Sequence, residues 1–392
     1  MKKVVHYAPL YFPHLGGAEA HIHTLMRFMA DVDFTLVTNR LIGTPPSEKL
    51  DNATLVRFNP PDWKVSGLGN PPPSLVRESS NAVFDVIRSV RKRRWLRRHD
   101  FDVLHVHSVY DVDTLFHLST KLRSELFYDI ALSLNDFRWA KRRTVFTEHG
   151  LIGTGLTWGP LAARMASDLA GYHDNIICVE QKGYDILKER FKGKGEKRVW
   201  LIPNGVVLDE FKPATRPSDG PLRVGYAARL DKHGLALLVA VAELLPPTVE
   251  LVIAGAGYSK STLPESVTSK RNVVLNHGIP HDKMPEFYRG IDILLELHDH
   301  EIFGLTVLEG MACGRPVIRT KGLYRYPVVD GVTGFLVDAT PPSIVDRISE
   351  LSKDPATLGN LGRNARLLVE KEFDARQMVA KIREVYEEVG TR

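Results

Sequence analysis

The chain has 392 residues, 43% of them apolar and 25% charged, with a formal net charge of +5. This is the make-up of a globular protein of two domains, each long enough to bury its own core. No stretch reaches the roughly 18 apolar residues of a membrane span, and the short apolar run after Lys2-Lys3 reads as a first strand rather than a signal peptide. Cys178 and Cys313 are the only cysteines; buried thiols of a cytoplasmic protein are expected, not a disulfide or a metal pair.

In the first half, apolar runs of strand length alternate with stretches of helical period. Residues 4–7 read as a strand. The loop after them ends in Gly16-Gly17, and 18–30 reads as a helix with Ile22, Leu25, Met26 and Met29 on one face. Strands are expected at 34–38 and 54–58. Pro60, Pro61, Gly67, Gly69, Pro71, Pro72 and Pro73 make 59–74 an irregular surface segment. Residues 74–98 read as a helix, and its end, Arg88 to Arg98, carries seven basic side chains in eleven residues. Such a patch suits lipid headgroups, a polyphosphate or nucleic acid; it also fits a solvated helix face. Further strands are expected at 101–107, 143–147, 175–179 and 198–202, with a helical stretch to about 138 and a helix at Gln181–Phe191.

The pattern restarts after a polar, proline-containing linker at 212–221. Residues 222–227 read as a new first strand and 235–245 as a helix. Strands follow at 249–254, 272–276, 291–297, 316–319 and 335–337, and 342–390 reads as helical with a break at Pro355. Strands alternating with helices predict parallel sheets. The fold class is therefore α/β: two doubly wound, Rossmann-like domains facing across a cleft, with ligands at the carboxyl ends of the strands. The domains are expected at 1–203 and 204–373, with a helix at 374–392 packing back on the first.

Chemistry is sought at the strand exits. After the 291–297 strand come Glu301, the turn Phe303-Gly304, and an apolar run from Leu305 and Thr306 that carries Glu309. A helix N-terminus after a glycine offers free N–H groups and a positive dipole end to a phosphate. Carboxylates beside it suit sugar hydroxyls, or are solvated charges at a helix start. Arg229 and Lys232 follow the first strand of the second half and suit a diphosphate leaving group. Gly16-Gly17 lets a backbone come close to a phosphate or sugar. His149, after the 143–147 strand, can donate to a phosphate or sugar hydroxyl, or be a satisfied structural histidine. Gly278-Ile279 follows His277, where backbone can pair with a base edge.

Metal readings lack support in the spacing. His105 and His107 share a strand face, but no third ligand stands at a metal-site interval. Asp111-Val112-Asp113 reads as a helix start, and His298, His300 and Glu301 match no metal pattern. A P-loop and a Gly-X-Ser-X-Gly elbow are both absent, which disfavours a P-loop ATPase and an α/β-hydrolase.

In order along the chain, these motifs resemble the retaining glycosyltransferases of family four, two-domain GT-B enzymes that use nucleotide sugars. The resemblance lies in Glu301 and Glu309 around Phe303-Gly304, in Met311-Ala-Cys-Gly-Arg-Pro-Val-Ile318 and in Asp330-Gly-Val-Thr-Gly-Phe-Leu-Val337. Gly16-Gly17-Ala18-Glu19, Thr147-Glu148-His149, Ile202-Pro-Asn-Gly-Val206 and Arg229-Leu230 extend it over nearly the whole chain. It implies that Glu301 holds donor-sugar hydroxyls and Glu309 the nucleotide ribose. The backbone of Phe303, Gly304, Leu305 and Thr306 would meet the sugar and diphosphate, and Arg229 with Lys232 would neutralise the diphosphate. His149 would sit by the sugar and β-phosphate, and Gly16 and Gly17 beside the diphosphate and acceptor. No cofactor and no essential metal are implied. Where the family usually has Lys-Gly, this chain has His233-Gly234, and Lys232 is the neighbour that would substitute.

Tyr11-Phe-Pro-His-Leu-Gly-Gly-Ala-Glu-Ala-His-Ile22, Thr144-Val-Phe-Thr-Glu-His149 and Asn175-Ile-Ile-Cys-Val179 further resemble the catalytic subunits of phosphatidylinositol N-acetylglucosaminyltransferases. That likeness implies UDP-N-acetylglucosamine as donor and an inositol lipid as acceptor, with Arg88 to Arg98 against the inner face of an anionic membrane. The expected activity is retaining transfer from a UDP- or GDP-sugar to a small-molecule, glycan or lipid hydroxyl, with no nucleic acid as partner. The rivals are a nucleotide-sugar epimerase of the same fold, a phosphorylase-like enzyme with pyridoxal phosphate, and a non-enzymatic binder of anionic surfaces or nucleic acid.

Overall fold

In a computed structural model the chain divides into two compact units, Met1–Pro203 with Met378–Arg392, and Asn204–Gln377. The structure describes residues 2–13, 16–41, 43–58, 75–107, 125–150, 152, 160–214, 220–229, 234–256, 263–297, 304–322 and 326–390.

The first unit contains strands β1 (Lys2–Tyr7), β2 (Val32–Asn39), β3 (Ser47–Leu50), β4 (Ala53–Phe58), β5 (Val103–His107), β6 (Thr144–Glu148), β7 (Asn175–Cys178) and β8 (Arg198–Leu201). They form one sheet in the order β3-β4-β2-β1-β5-β6-β7-β8. Its helices are α1 (Gly17–Phe28), α2 (Leu75–Leu96), α3 (Glu125–Leu134), α4 (Pro160–Ala170) and α5 (Gln181–Phe191). All pairings are parallel except β3 with β4, which is antiparallel. This corrects the expectation of a purely parallel sheet. Ser47-Glu48-Lys49-Leu50 has no apolar run to mark it, and the Asp51-Asn52 turn folds it back onto β4. A short, charged strand is well suited to that edge position.

The second unit contains β9 (Leu222–Arg229), β10 (Val249–Ala256), β11 (Val273–His277), β12 (Ile293–Glu296), β13 (Val317–Thr320) and β14 (Gly334–Val337), in the order β11-β10-β9-β12-β13-β14. Its pairings are all parallel. Helices α6 (Leu235–Leu244), α7 (Glu265–Thr268), α8 (Met284–Arg289), α9 (Leu305–Ala312), α10 (Pro341–Ser352) and α11 (Pro355–Glu372) connect and follow the strands. Side chains alternate between the two faces of the sheet, as the pleat requires. Val224, Leu251 and Ile253 pack with Leu238, Ile344 and Ile348, whereas Ala227, Val252 and Ala254 pack with Val307, Leu308 and Val369. Both faces of the sheet are thus covered by helices, as in doubly wound folds.

The stretch expected to be helical from 342 has two breaks, not one. Asp354 caps α11 by accepting from Thr357 N at 3.0 Å, with Pro355 in the first turn. A second break at Phe373-Asp374 begins α12 (Ala375–Gly390). From Met378 onward this helix belongs to the first unit. Met378, Val379, Ile382, Val385, Tyr386 and Val389 recur at helical spacing and pack with Val4, Ile22, Leu25 and Phe34. Burial of that stripe contributes on the order of 10 kcal/mol before the entropy cost.

Strand order reverses between β1 and β5 in one sheet and between β9 and β12 in the other. In doubly wound folds, ligands bind beyond the carboxyl ends of the strands at such points. Gly16-Gly17 and His107 lie at the first reversal, and Arg229 at the second. Among the described residues no helix is long and apolar enough to cross a membrane.

Candidate active site

In the second unit the site is built on α9. The N-cap, Gly304, makes no side-chain cap bond, so among the described residues no N-cap side chain takes up the first-turn N–H groups. Thr306 Oγ1 lies in that turn, buried and without a hydrogen-bond partner among the described residues. One turn on, Glu309 is only 5% exposed, so it is not a solvated helix-start charge. Its Oε1 accepts from His281 Nε2 at 3.0 Å and its Oε2 from the Tyr288 hydroxyl at 2.8 Å. The hydrogen bond to Glu309 raises the pKa of His281. Burial, followed by the Glu309 charge, pushes the Tyr288 phenol well up. An ionised carboxylate has about four acceptor positions, so two bonds leave Glu309 room for a pair of hydroxyls. Gly310 makes the position of α9 possible, because a Cβ there would come within 2.6 Å of Leu294 Cδ2 on β12.

Gly278 turns the chain after β11 with φ of 61° and donates to Gly255 O at 2.9 Å. Ile279 follows it and packs on the apolar cluster that also holds Val307 and Leu308. Arg229 is the last residue of β9, inside the strand rather than after it, and is described in its backbone only. Glu301, Phe303, Lys232, Leu230, His233, His298 and His300 lie outside the described residues, as do Asp111 and Asp113. His281 and Tyr288 were not expected as site residues. The nearest signal was the polar turn His277-Gly278-Ile279-Pro280-His281 at a strand exit.

In the first unit Gly16 is the N-cap of α1, in an extended conformation that any residue can adopt, and Gly17 opens the helix. Beyond β6, half-buried His149 places Nε2 3.2 Å from His107 Nδ1. His107 Nε2 lies 2.7 Å from His6 Nδ1. The β1–β5 register sets His6 opposite His105. His105 bonds the Tyr386 hydroxyl through Nδ1 and Thr147 Oγ1 through Nε2, both at 2.6 Å. Burial lowers the pKa of His6 to about 3 and holds His105, His107 and His149 well below the ordinary value. Ring nitrogens of His6, His105 and His107 lie within 4.8 Å of one another. The pairing of distant strands thus supplies the third ring that spacing along one strand could not reveal.

The basic run on α2 is divided. Arg88 is buried and bonds Asp85 at 2.7 Å, and buried Lys92 lies over the Tyr7 ring at 4.9 Å. Arg93 donates to the carbonyls of Ser133 and Asp136 at 2.6 and 2.9 Å. Arg91, Arg94, Arg97 and Arg98 are exposed. N-terminal to them on the same helix, Val83, Phe84, Ile87 and Val90 are between 44% and 58% exposed.

Comparison with known proteins matches residues 15–210 to Glycosyltransferase Family 4 and residues 208–388 to Glycosyl transferases group 1. The chain belongs to glycosyltransferase family 4. A D-inositol 3-phosphate glycosyltransferase of Xylanimonas cellulosilytica is 27% identical over 242 residues, 55% of this glycosyltransferase and 57% of that relative. The chain therefore spans little more than half of that protein. One of the same description from Streptomyces bingchenggensis is 26% identical over 98% of this chain and 88% of its own. Among solved structures, Anabaena HepE in complex with UDP and glucose has a TM-score of 0.70 at 17% identity, covering 99% of this chain and 100% of that one. The chain thus has the GT-B fold, with both α/β units covered by the match.

Proposed function

We propose that the protein is a retaining, metal-independent glycosyltransferase. It takes a sugar from a nucleotide diphosphate sugar, with UDP-N-acetylglucosamine favoured, and passes it to a hydroxyl of a phosphorylated inositol or an inositol lipid. The observation that carries this reading is Glu309: a buried carboxylate, oriented by His281 and Tyr288, one turn inside a helix whose N-cap, Gly304, makes no side-chain cap bond. Its remaining acceptor positions suit a ribose diol, and the helix N-terminus suits the diphosphate. Thr306 Oγ1 supplies a further buried group, without a partner among the described residues. The UDP and glucose named for HepE and the inositol phosphate named for the relatives agree with this donor and acceptor class.

In this mechanism the acceptor hydroxyl attacks the anomeric carbon on the face from which the diphosphate leaves. Charge growing on the leaving phosphate is met by the α9 N–H groups, Arg229 and Lys232. Glu301 holds hydroxyls of the transferred sugar, Glu309 grips the ribose, and the backbone of Gly278-Ile279 meets the base. His149 donates a hydrogen bond as a neutral ring, because burial keeps it uncharged. Gly16 and Gly17 leave room for the diphosphate and acceptor.

The exposed face of α2 favours an acceptor held at an anionic membrane surface. Val83, Phe84, Ile87 and Val90 form an apolar stripe that runs on into four exposed arginines. This pairing of an apolar stripe with cations is the one an interfacial helix uses.

The test is a panel of UDP- and GDP-sugars, each with inositol phosphate or with phosphatidylinositol vesicles, followed by nucleotide release and the anomeric configuration of the product. Transfer with retention, unaffected by EDTA and abolished by Glu301→Ala or Arg229→Ala, is expected. No turnover of any donor, or wild-type turnover in both variants, overturns the reading.

A further inference from the structure

We infer that His6 and His107 fix the tautomer of His149, so that His149 presents an Nδ1–H donor to an oxygen of the bound ligand. This rests on the proposed placement of His149 beside the donor sugar and phosphate. His6 and His107 are positioning residues, since neither reaches the ligand itself.

The three rings form one hydrogen-bonded row, His6 Nδ1 to His107 Nε2 at 2.7 Å and His107 Nδ1 to His149 Nε2 at 3.2 Å. His6 and His107 are fully buried, and His149 is the half-buried end. Burial and the neighbouring rings, His21 and His105 among them, keep all three neutral. A neutral imidazole carries one N–H and one acceptor nitrogen. The protons of the row must therefore all run in one direction, and only two arrangements exist.

In the first, His6 Nδ1–H donates to His107, His107 Nδ1–H donates to His149, and His149 keeps its own proton on Nδ1. In the second, the run reverses, and His6 must carry its proton on Nε2. That atom is buried and has no partner among the described residues. The neighbouring Phe34 ring, 5.1 Å away between centroids and tilted by 30°, supplies no oxygen or nitrogen acceptor. A buried N–H without an acceptor is a rarer orphan than an acceptor without a donor. The first arrangement wins, and its free end is an N–H on His149. A phosphate or sugar oxygen then meets a donor of fixed orientation that needs no protonation step.

A metal ion is the competing use of the same rings. It fits less well: both nitrogens of His105 are already taken by hydroxyls, and His6 and His107 are bonded to each other. An ion bound by all three rings would have to take a nitrogen of His105 from a hydroxyl and one of His107 from His6 or His149.

The test is 15N NMR of the whole chain labelled at histidine, with and without UDP, with His149→Gln identifying the resonances. A neutral Nδ1–H tautomer at His149 is expected. His107→Leu should leave His149 averaging between its two tautomers. His107→Gln, whose amide can accept from His6 and donate to His149, should restore the single form. With a nucleotide sugar, His107→Leu should lower kcat roughly 10-fold, by the loss of about one well-placed hydrogen bond, with less change in donor KM, and Gln should recover most of that loss. An Nε2–H tautomer at His149, or a stoichiometric metal ion bound at these rings by elemental analysis, overturns the inference. If His107→Leu does not fold, the wild-type tautomer still decides. A chain that turns over no nucleotide sugar still gives the NMR result, so failure of the donor reading is told apart from failure of this one.

Discussion

His281 Nε2 donates to Glu309 Oε1 at 3.0 Å and ties the turn after β11 to the helix after β12. Because that bond raises the pKa of His281 above 6.5, folding gains from the protonated ring. The gain is complete below pH 6.5 and is lost as pH rises through the raised value. His281→Gln keeps a neutral donor but no charge. The stability difference between wild type and this variant should therefore shrink from pH 6 to pH 8, measured by thermal unfolding at each pH. Because His281 is partly exposed, the effect should be about 1 kcal/mol or less. A difference that grows with pH would contradict the pairing.

Tyr288→Phe removes the donor to Glu309 Oε2 and leaves a buried carboxylate oxygen unpaired. A stability loss of about 1–3 kcal/mol is expected, read as a lower urea midpoint at unchanged m-value. With Glu309 no longer held from both sides, donor KM should rise more than kcat falls, because a ribose grip contributes to ground-state and transition-state binding alike. A fall in kcat alone would place Glu309 nearer the chemistry than proposed here.

The sequence displayed these elements unevenly, for physical reasons. Apolar runs such as Ile293 to Glu296 and the glycine turn before Leu305 announce a buried strand and a helix start locally, so the frame of α9 could be read directly. Tyr288 and His281 could not, because their meaning lies in reaching one carboxylate from another segment. His6 is a stronger case: it is 99 residues from His105, and only the parallel β1–β5 register sets the two side by side. β3 escaped notice because a four-residue polar edge strand has no period to detect. The seven cations of Arg88 to Arg98 looked like one patch because composition does not tell which side of a helix faces the sheet.

The first unit should be sensitive to acid. His6, His105, His107 and His173 are buried and His149 is half-buried; all five have depressed pKa values, about 3 for His6 and His173, with burial as the largest cause. In the unfolded chain they take up protons near 6.5, so below that pH the unfolded state binds more protons than the folded one. Stability should fall as pH drops from 6.5 towards 3, by about 1.4 kcal/mol per pH unit for each ring fully protonated only when unfolded. Urea unfolding followed at Trp95 and Trp139 fluorescence, between pH 7 and pH 5, measures the slope. A flat profile over that range would mean that the rings are charged in the folded state.

On α2 the same residue type should give two different phenotypes. Ile87→Glu and Arg94→Glu change the exposed stripe and its cationic end. They should weaken sedimentation with vesicles containing phosphatidylinositol or phosphatidylserine, at about 1 kcal/mol per cation lost near the surface, while leaving the melting temperature unchanged. Arg88→Ala and Lys92→Ala should instead lower the melting temperature. Arg88→Ala deletes the cation 2.7 Å from buried Asp85, and Lys92→Ala the one over the Tyr7 ring. Raising the salt concentration should release the wild type from vesicles, because the exposed arginines of α2 are screened. Binding that survives Ile87→Glu and Arg94→Glu together would remove α2 from the membrane contact and leave its arginines as a solvated face.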